Sequence, residues 1–204
     1  AGFESDRNRI MLYDRSNGSI RELTVGLDQT AHGATWLPDS QSMLFVSEWR
    51  GTNQIFRIWL NDHKTTQMSH GRYNWSLSGV FADGQTALVA RQNMLRPNEL
   101  ATLKLADGTH TLITSTNDAH FAKLSLPTIE ERQVTASDGK TIHNWVIYPP
   151  DFDPAKKWPL ITYCQGGPQG QIGQWFSYRW NFHLMAAQGY VVVAVNRRGL
   201  PGFG

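Results

Sequence analysis

The stretch with the most chemical promise is an apolar run that stops at a glycine pair: Leu160, Ile161, Thr162, Tyr163, Cys164, Gln165, Gly166, Gly167, Pro168. Glycine lets a backbone approach a partner closely or take a positive φ. A strand ending in Gly166 and Gly167 can therefore turn backbone N–H donors, and the carboxamide NH₂ of Gln165, toward a carbonyl that gains negative charge. A Gly-Pro pair also punctuates ordinary loops, so the stretch has to be read with its surroundings. Other reactive residue types are less promising. Glu130 and Glu131 are adjacent, and neighbours on a strand point to opposite faces, so they suggest a solvated boundary and not an acid/base pair. Arg197 and Arg198 precede Gly199; Arg197 is a candidate to hold a peptide carbonyl, with loop packing or a surface ion pair as the alternative. Cys164 is the only cysteine, which excludes an internal disulfide and a cysteine-rich zinc site. In a strand it is expected to be buried. The seven histidines show no HExxH or comparable spacing, so no metal is expected. No serine has glycine at both −2 and +2, the spacing of a nucleophile elbow.

Composition narrows the classes of partner. With 204 residues, 40% hydrophobic and 18% charged, the chain is long enough for one or two globular domains. Eight tryptophans point to packed cores. A formal charge of +2 without a basic run gives no electrostatic footprint for nucleic acid. No apolar run approaches the ~18 residues of a membrane span, and no leader pattern is visible at Ala1.

The first half of the chain repeats. Leu23-Thr24, Met68-Ser69 and Ile113-Thr114 end three similar stretches at intervals of 45 residues. Asn17, Asp62 and Asp107 keep the same register, each at an expected hairpin turn, with strand-like runs Ile10–Tyr13, Ile55–Trp59 and Leu100–Leu103 upstream. Trp36–Ser47 and Val80–Ala90 share an aromatic or apolar start, a turn carrying Asp39 or Asp83, and a strand. Short strands at this period are the pattern of β-propeller blades. Residues 1–126 hold fewer than three such units, whereas propellers usually close with at least four. The expectation is thus the last blades of an incomplete propeller, with exposed sheet edges.

The second half, from Pro127 onward, changes character. Asp138-Gly139 predicts a hairpin between strands at Arg132–Ala136 and Ile142–Tyr148. Pro149, Pro150, Pro154 and Pro159 make a stiff crossing to Leu160–Cys164, a strand without polar alternation that is expected to be buried on both faces. Phe176, Trp180, Leu184 and Ala187 fall on one face of an expected helix, which Gly189 ends. Tyr190–Asn196 is another buried strand. Strand, helix and strand in this order predict a parallel pair, the opening of an α/β domain.

The ordered conjunction of hairpin, proline-rich crossing, strand ending in Gly166-Gly167-Pro168, helix, and Asn196-Arg197-Arg198-Gly199-Leu200-Pro201-Gly202-Phe203-Gly204 resembles the start of the catalytic domain in the prolyl oligopeptidase family of serine peptidases, most of all its acylaminoacyl-peptidase-like branch. The resemblance extends to the repeats, because these enzymes join a β-propeller to an α/β-hydrolase domain. It implies last propeller blades over 1–126 and the first part of a hydrolase domain over 127–204. It also implies a serine exopeptidase that cleaves dipeptides, or acylated or free residues, from the amino terminus of short peptides through an acyl-enzyme. No cofactor is implied, the partners are short peptides, and export to the periplasm is implied for the parent. The residue before the paired glycines sits beside the oxyanion hole in this family and is usually Tyr or His; here it is Gln165. Either the Gln165 amide donates to the oxyanion, or Gln165 only binds the loop while backbone N–H groups donate. The elbow serine and the family's Asp and His would lie beyond Gly204, so the chain alone is expected to be inactive. A non-catalytic peptide-binding module and a carboxylesterase with an appended β-domain are the alternative readings.

Overall fold

The computed structural model describes residues 6–166 and 169–203. The chain opens with a short hairpin, β1 (Met11–Tyr13) and β2 (Ile20–Glu22). Two antiparallel meanders follow: β3 (Ala31–Trp36), β4 (Ser42–Trp49), β5 (Thr52–Trp59), β6 (Thr65–Gln67), then β7 (Asn74–Val80), β8 (Thr86–Asn93), β9 (Arg96–Lys104), β10 (His110–Leu112). They meet at one parallel bridge, Asn53 opposite Asn74, which makes a single 8-stranded sheet. A one-turn helix, α1 (Asp118–Phe121), leads to β11 (Thr128–Thr135), β12 (Thr141–Tyr148), β13 (Leu160–Tyr163), α2 (Phe182–Ala187) and β14 (Val191–Asn196). These four strands form one sheet in the order β11-β12-β14-β13, with only β13 and β14 parallel.

The 45-residue repeat is visible as repeated hydrogen bonding. At each hairpin tip an Asx side chain accepts from the backbone two residues on: Ser19 N to Asn17 Oδ1 at 2.8 Å, Lys64 N to Asp62 Oδ1 at 3.0 Å, Thr109 N to Asp107 Oδ1 at 2.8 Å. Such local bonds mimic a turn and so favour Asn and Asp there. The hydroxyl that ends each unit accepts a backbone N–H 14 residues upstream, from Ile10 to Thr24, Ile55 to Ser69 and Leu100 to Thr114. Asp39 and Asp83 likewise each gather two backbone N–H groups and one hydroxyl ahead of β4 and β8. The repeat in sequence is thus a repeat of which donors are satisfied, and by what.

Strand alternation then sends residues to two cores. Met43, Phe45, Phe56 and Ile58 pack beneath β1 and β2 with Ile10 and Leu23. From the same strands Leu44 and Ile55 face Trp75, Val89, Ala101 and Leu103 of the second meander. A third core of Trp145, Ile147, Ile172, Val192 and Ala194 lies under α2, with Met94 reaching in from the β8–β9 turn.

Two expectations for the second half fail. The residues from 171 to 180 are not helical; α2 is only 6 residues long, and it begins where the Asn181 side chain accepts from His183 N and Leu184 N. Trp180 and Leu184 are exposed, and Ala186 is the helix residue that is buried. Residues 171–176 instead follow an irregular path because their polar groups are taken by other strands and turns, which outweighs the helical spacing of their apolar neighbours. Next, β13 is an edge strand bonded only to β14, so Leu160 is 61% exposed and Cys164 is exposed, not buried. The β11–β12 hairpin is as expected, with Gly139 at φ +80° in its turn.

Two outcomes are expected. Ser69 is fully buried and links Ile55 N to Gln54 Oε1 (2.8 and 2.7 Å). Ser69→Ala strands both partners and should cost about 1–3 kcal/mol in chemical denaturation; Thr114→Ala, at the half-buried equivalent, should cost less. Equal losses would contradict this ranking. The Cys164 thiol should react stoichiometrically with an aromatic disulfide reagent in the folded chain; reaction only after denaturant would place it in the core.

Candidate active site

Because β13 and β14 are parallel, their carboxyl ends lie side by side, with Tyr163 opposite Ala194. Ligands of open α/β sheets bind outside such ends. Residues 169 and 170 after β13 and 199–202 after β14 face the meanders across a cleft of about 420 Å³. One wall is Gln169, Gly170 and Gly199 to Gly202; the other is Asp6 to Asn8, Asp28 to Thr30, His32 and Glu48.

The cleft is built on an irregular rung, Gln171 to Phe176. Gln171 Oε1 accepts from Gly51 N (3.1 Å) and its Nε2 donates to Thr52 O (2.8 Å). The buried Asn74 Oδ1 accepts both Asn53 N and Gln174 N at 3.0 Å. Gly173 passes so close to this amide that a Cβ would lie 3.0 Å from it. On the other side Ile172 N donates to Asn196 Oδ1 (2.6 Å), while Ile172 O accepts from Asn196 Nδ2 and Trp145 Nε1, both at 3.0 Å. The rung thus positions both loops against the β4–β5 turn. Gly202 completes the seat: at φ +91° its O accepts Arg50 N, and a Cβ would meet Gln171 Oε1 at 2.9 Å and Trp49 N at 3.2 Å.

The sequence candidates fall around this cleft. Gln165 is half-buried just beyond β13, and its Nε2 lies 3.1 Å from where a Cβ on Gly170 would stand. Its amide therefore folds over a residue that lines the cleft, although Gln165 is not itself in the lining. Gly166 is exposed, with open space around a built Cβ. Gly167 and Pro168 lie outside the described residues. Arg197 is exposed at the end of β14 and is not in the cleft lining. Arg198 pairs with Asp138 in the β11–β12 turn, the surface ion pair considered for this arginine doublet.

Glu130 and Glu131 do point to opposite faces. Glu130 pairs with Arg132 (3.1 Å) and accepts from the Tyr148 hydroxyl. Glu131 is not at a solvated boundary: it reaches the buried His143, 3.4 Å away, and Arg72 at 3.6 Å. Sequence reading also missed His32 and Glu48, paired at 3.3 Å in the cleft wall. The Glu48 hydrogen bond raises His32 above the ordinary histidine range. Burial pushes Glu48 up, yet the His32 contact and a backbone N–H outweigh it and leave the carboxyl lowered. Nothing in their spacing marks them, because β3 and β4 bring them together only as a cross-strand pair. Among the described residues no group of three or more metal-ligating side chains forms.

No family model matches the chain. A dipeptidyl-peptidase 5 of Porphyromonas gingivalis is 35% identical over 203 residues, which is 100% of this chain and 29% of that protein. The chain therefore spans under a third of the length of the curated relatives it matches. An acylaminoacyl peptidase of Pyrococcus horikoshii superposes with a TM-score of 0.80 at 25% identity, over 100% of this chain and 30% of that one. An acylaminoacyl peptidase in complex with Z-Gly-Gly-Phe-chloromethyl ketone superposes with the same TM-score, 0.80, at 25% identity and the same coverage, 100% and 30%. Both kinds of likeness run through the meanders and the four-stranded sheet alike, and on them the chain belongs to the prolyl oligopeptidase family, in the branch of dipeptidyl-peptidase 5 and the acylaminoacyl peptidases.

Proposed function

We propose that the whole protein is a serine peptidase that removes dipeptides, or acylated or free residues, from the amino terminus of short peptides through an acyl-enzyme. The observation that carries this reading is the 35% identity to a dipeptidyl-peptidase 5 across all of the chain, both halves and the cleft between them. The complex of a similarly folded peptidase with a Gly-Gly-Phe chloromethyl ketone supports a peptide as the occupant. In this reading β3–β6 and β7–β10 are consecutive propeller blades within 1–126, and 127–204 opens the hydrolase domain. Support for the blades is the 45-residue spacing of two four-stranded meanders stacked through Leu44, Ile55 and Val89. Support for the hydrolase part is the parallel β13–α2–β14 unit beside an antiparallel hairpin.

Acyl transfer needs a nucleophile, a base and donors placed where the carbonyl oxygen becomes an oxyanion. No serine of this chain sits in G-x-S-x-G, so the reading assigns the nucleophile and its base to the remainder of a protein whose relatives are more than three times as long. This chain supplies the loop after β13. The Gln165 amide, already turned over Gly170, donates from Nε2 to the oxyanion, with the Gly166–Gly167 loop approaching closely beside it. Arg197 holds a substrate carbonyl at the end of the neighbouring strand. Acyl-enzyme chemistry of this kind asks for no organic cofactor.

In the whole protein, Gln165→Ala should lower kcat by roughly 10²–10³, the loss typical of one such donor. KM should change little, because the contact strengthens in the transition state. Gln165→Glu should be at least as damaging, since a carboxylate repels the developing charge. A Gln165→Ala enzyme that keeps its kcat to within about tenfold while losing thermal stability would return the oxyanion to the backbone. Absence of hydrolysis on both dipeptidyl and acylaminoacyl chromogenic substrates by the intact protein would overturn the reading itself.

A further inference from the structure

On its β14 side the rung is held by the Asn196 amide, with Trp145 Nε1, and that amide fixes the state of a histidine. A backbone N–H can only donate and a backbone carbonyl can only accept. With Ile172 N at 2.6 Å and Ile172 O at 3.0 Å, Asn196 must therefore turn Oδ1 toward the first and Nδ2 toward the second. The second hydrogen on Nδ2 then points at His143 Nδ1, 3.0 Å away. Only an unprotonated Nδ1 can accept it. His143 is accordingly neutral, with its proton on Nε2.

We propose that neutral His143 is a pH-sensitive latch: protonating it releases Asn196 from the Ile172 rung and loosens the four-stranded sheet from the two meanders. An imidazolium would aim an N–H at the Asn196 NH₂. Relief by rotating Asn196 would bring its NH₂ onto Ile172 N–H and its oxygen onto Ile172 C=O, breaking both of its bonds to the rung. The ring has no room to swing away. It packs edge-on to Trp145 at 4.8 Å and against Phe203 at 5.3 Å, and a Cβ on Gly51 would already touch it at 2.7 Å.

Charged groups reach His143 from three elements. Glu131 on β11 lies 3.4 Å from Nε2, longer than a usual hydrogen bond. Arg72, before β7, pairs with Glu131 at 3.6 Å. Arg50, in the β4–β5 turn, lines the same small cavity beside Phe203. Burial is the largest influence and disfavours the imidazolium; Glu131 opposes it and Arg72 reinforces it, leaving the net value below the ordinary histidine range. The sign follows. A group that must stay neutral to fold contributes fully above its unfolded value of about 6.5. That contribution is lost as pH falls from there toward the depressed folded value.

The test is hydrogen exchange of the whole protein by mass spectrometry between pH 7.5 and 5, corrected for intrinsic rates. In the wild type, amides of residues 171–176 should lose several-fold protection on acidification, more than the β4–β5 strands do. Exchange at the imidazole C2 should place the His143 midpoint below the ordinary histidine value of about 6.5. His143→Gln offers Asn196 an acceptor that cannot titrate, so its rung should keep the same protection at both pH values. Asn196→Asp puts a carboxylate against Nδ1 and should reverse the trend, making acid protective. The proposal is overturned by a His143 midpoint at or above that ordinary value, which the wild type alone reports even if a variant fails to fold. It is equally overturned by a rung that opens identically with pH in His143→Gln.

Discussion

Everything on either side of the cleft depends on the hydrogen bonding of one irregular segment. Gln171 to Phe176 belongs to no sheet, yet its backbone and side chains are partnered by β5, β7, the β8–β9 turn and β14. A buried backbone group without a partner costs about 1–3 kcal/mol, so the segment can lie between sheets only because amides meet it on each side. Asn74, Gln171, Gln174 and Asn196 are all at least nine-tenths buried. They contribute specificity as well as stability, because a paired polar network favours one docking and a partly satisfied one is worse than an apolar core. Shifting any of the sheets by one residue would leave several of these amides unmatched.

This arrangement explains why the loops after β13 and β14 can be irregular. Glycines at 166, 170, 199 and 202 leave those loops little intrinsic preference for one conformation. Their path is set from below, by Gln171 and Ile172, and from across, by Arg50 N on Gly202 O. A site placed on loops needs a rigid scaffold beneath it to keep its geometry. Here the scaffold is shared between the two halves of the chain, so the cleft exists only when both are docked.

The two halves reach their stability differently. The meanders are stacked face to face through residues that alternate along each strand, and their turns are closed by Asx and hydroxyl side chains within the same unit. That is local chemistry repeated. The four-stranded sheet instead buries Trp145, Ile147 and Val192 against a rung and a short helix, and leaves β13 as an open edge. Open edges with exposed apolar residues such as Leu160 invite pairing with further chain.

The sequence by itself determined what depends on near neighbours. The 45-residue register, the Asx turns at Asn17, Asp62 and Asp107, the Asp138–Gly139 hairpin and the parallel pair around a helix are all legible, because each rests on a few adjacent residues with strict conformational demands. The opposed faces of Glu130 and Glu131 follow from the same strand geometry. Only the tertiary structure decided the rest. Phe176 and Trp180 keep helical spacing but lie outside the helix, since the polar partners of Gln171 and Gln174 are in the β4–β5 and β8–β9 turns about 80–120 residues away and hold that stretch out of α2. Cys164 is exposed because β13 has a neighbour on one side only. His32 with Glu48, and His143 with Glu131 and Asn196, are pairs made by register between strands, and no local spacing announces them. A hydrogen bond between distant residues is a property of how sheets dock, and docking is settled by the sum of all such contacts at once.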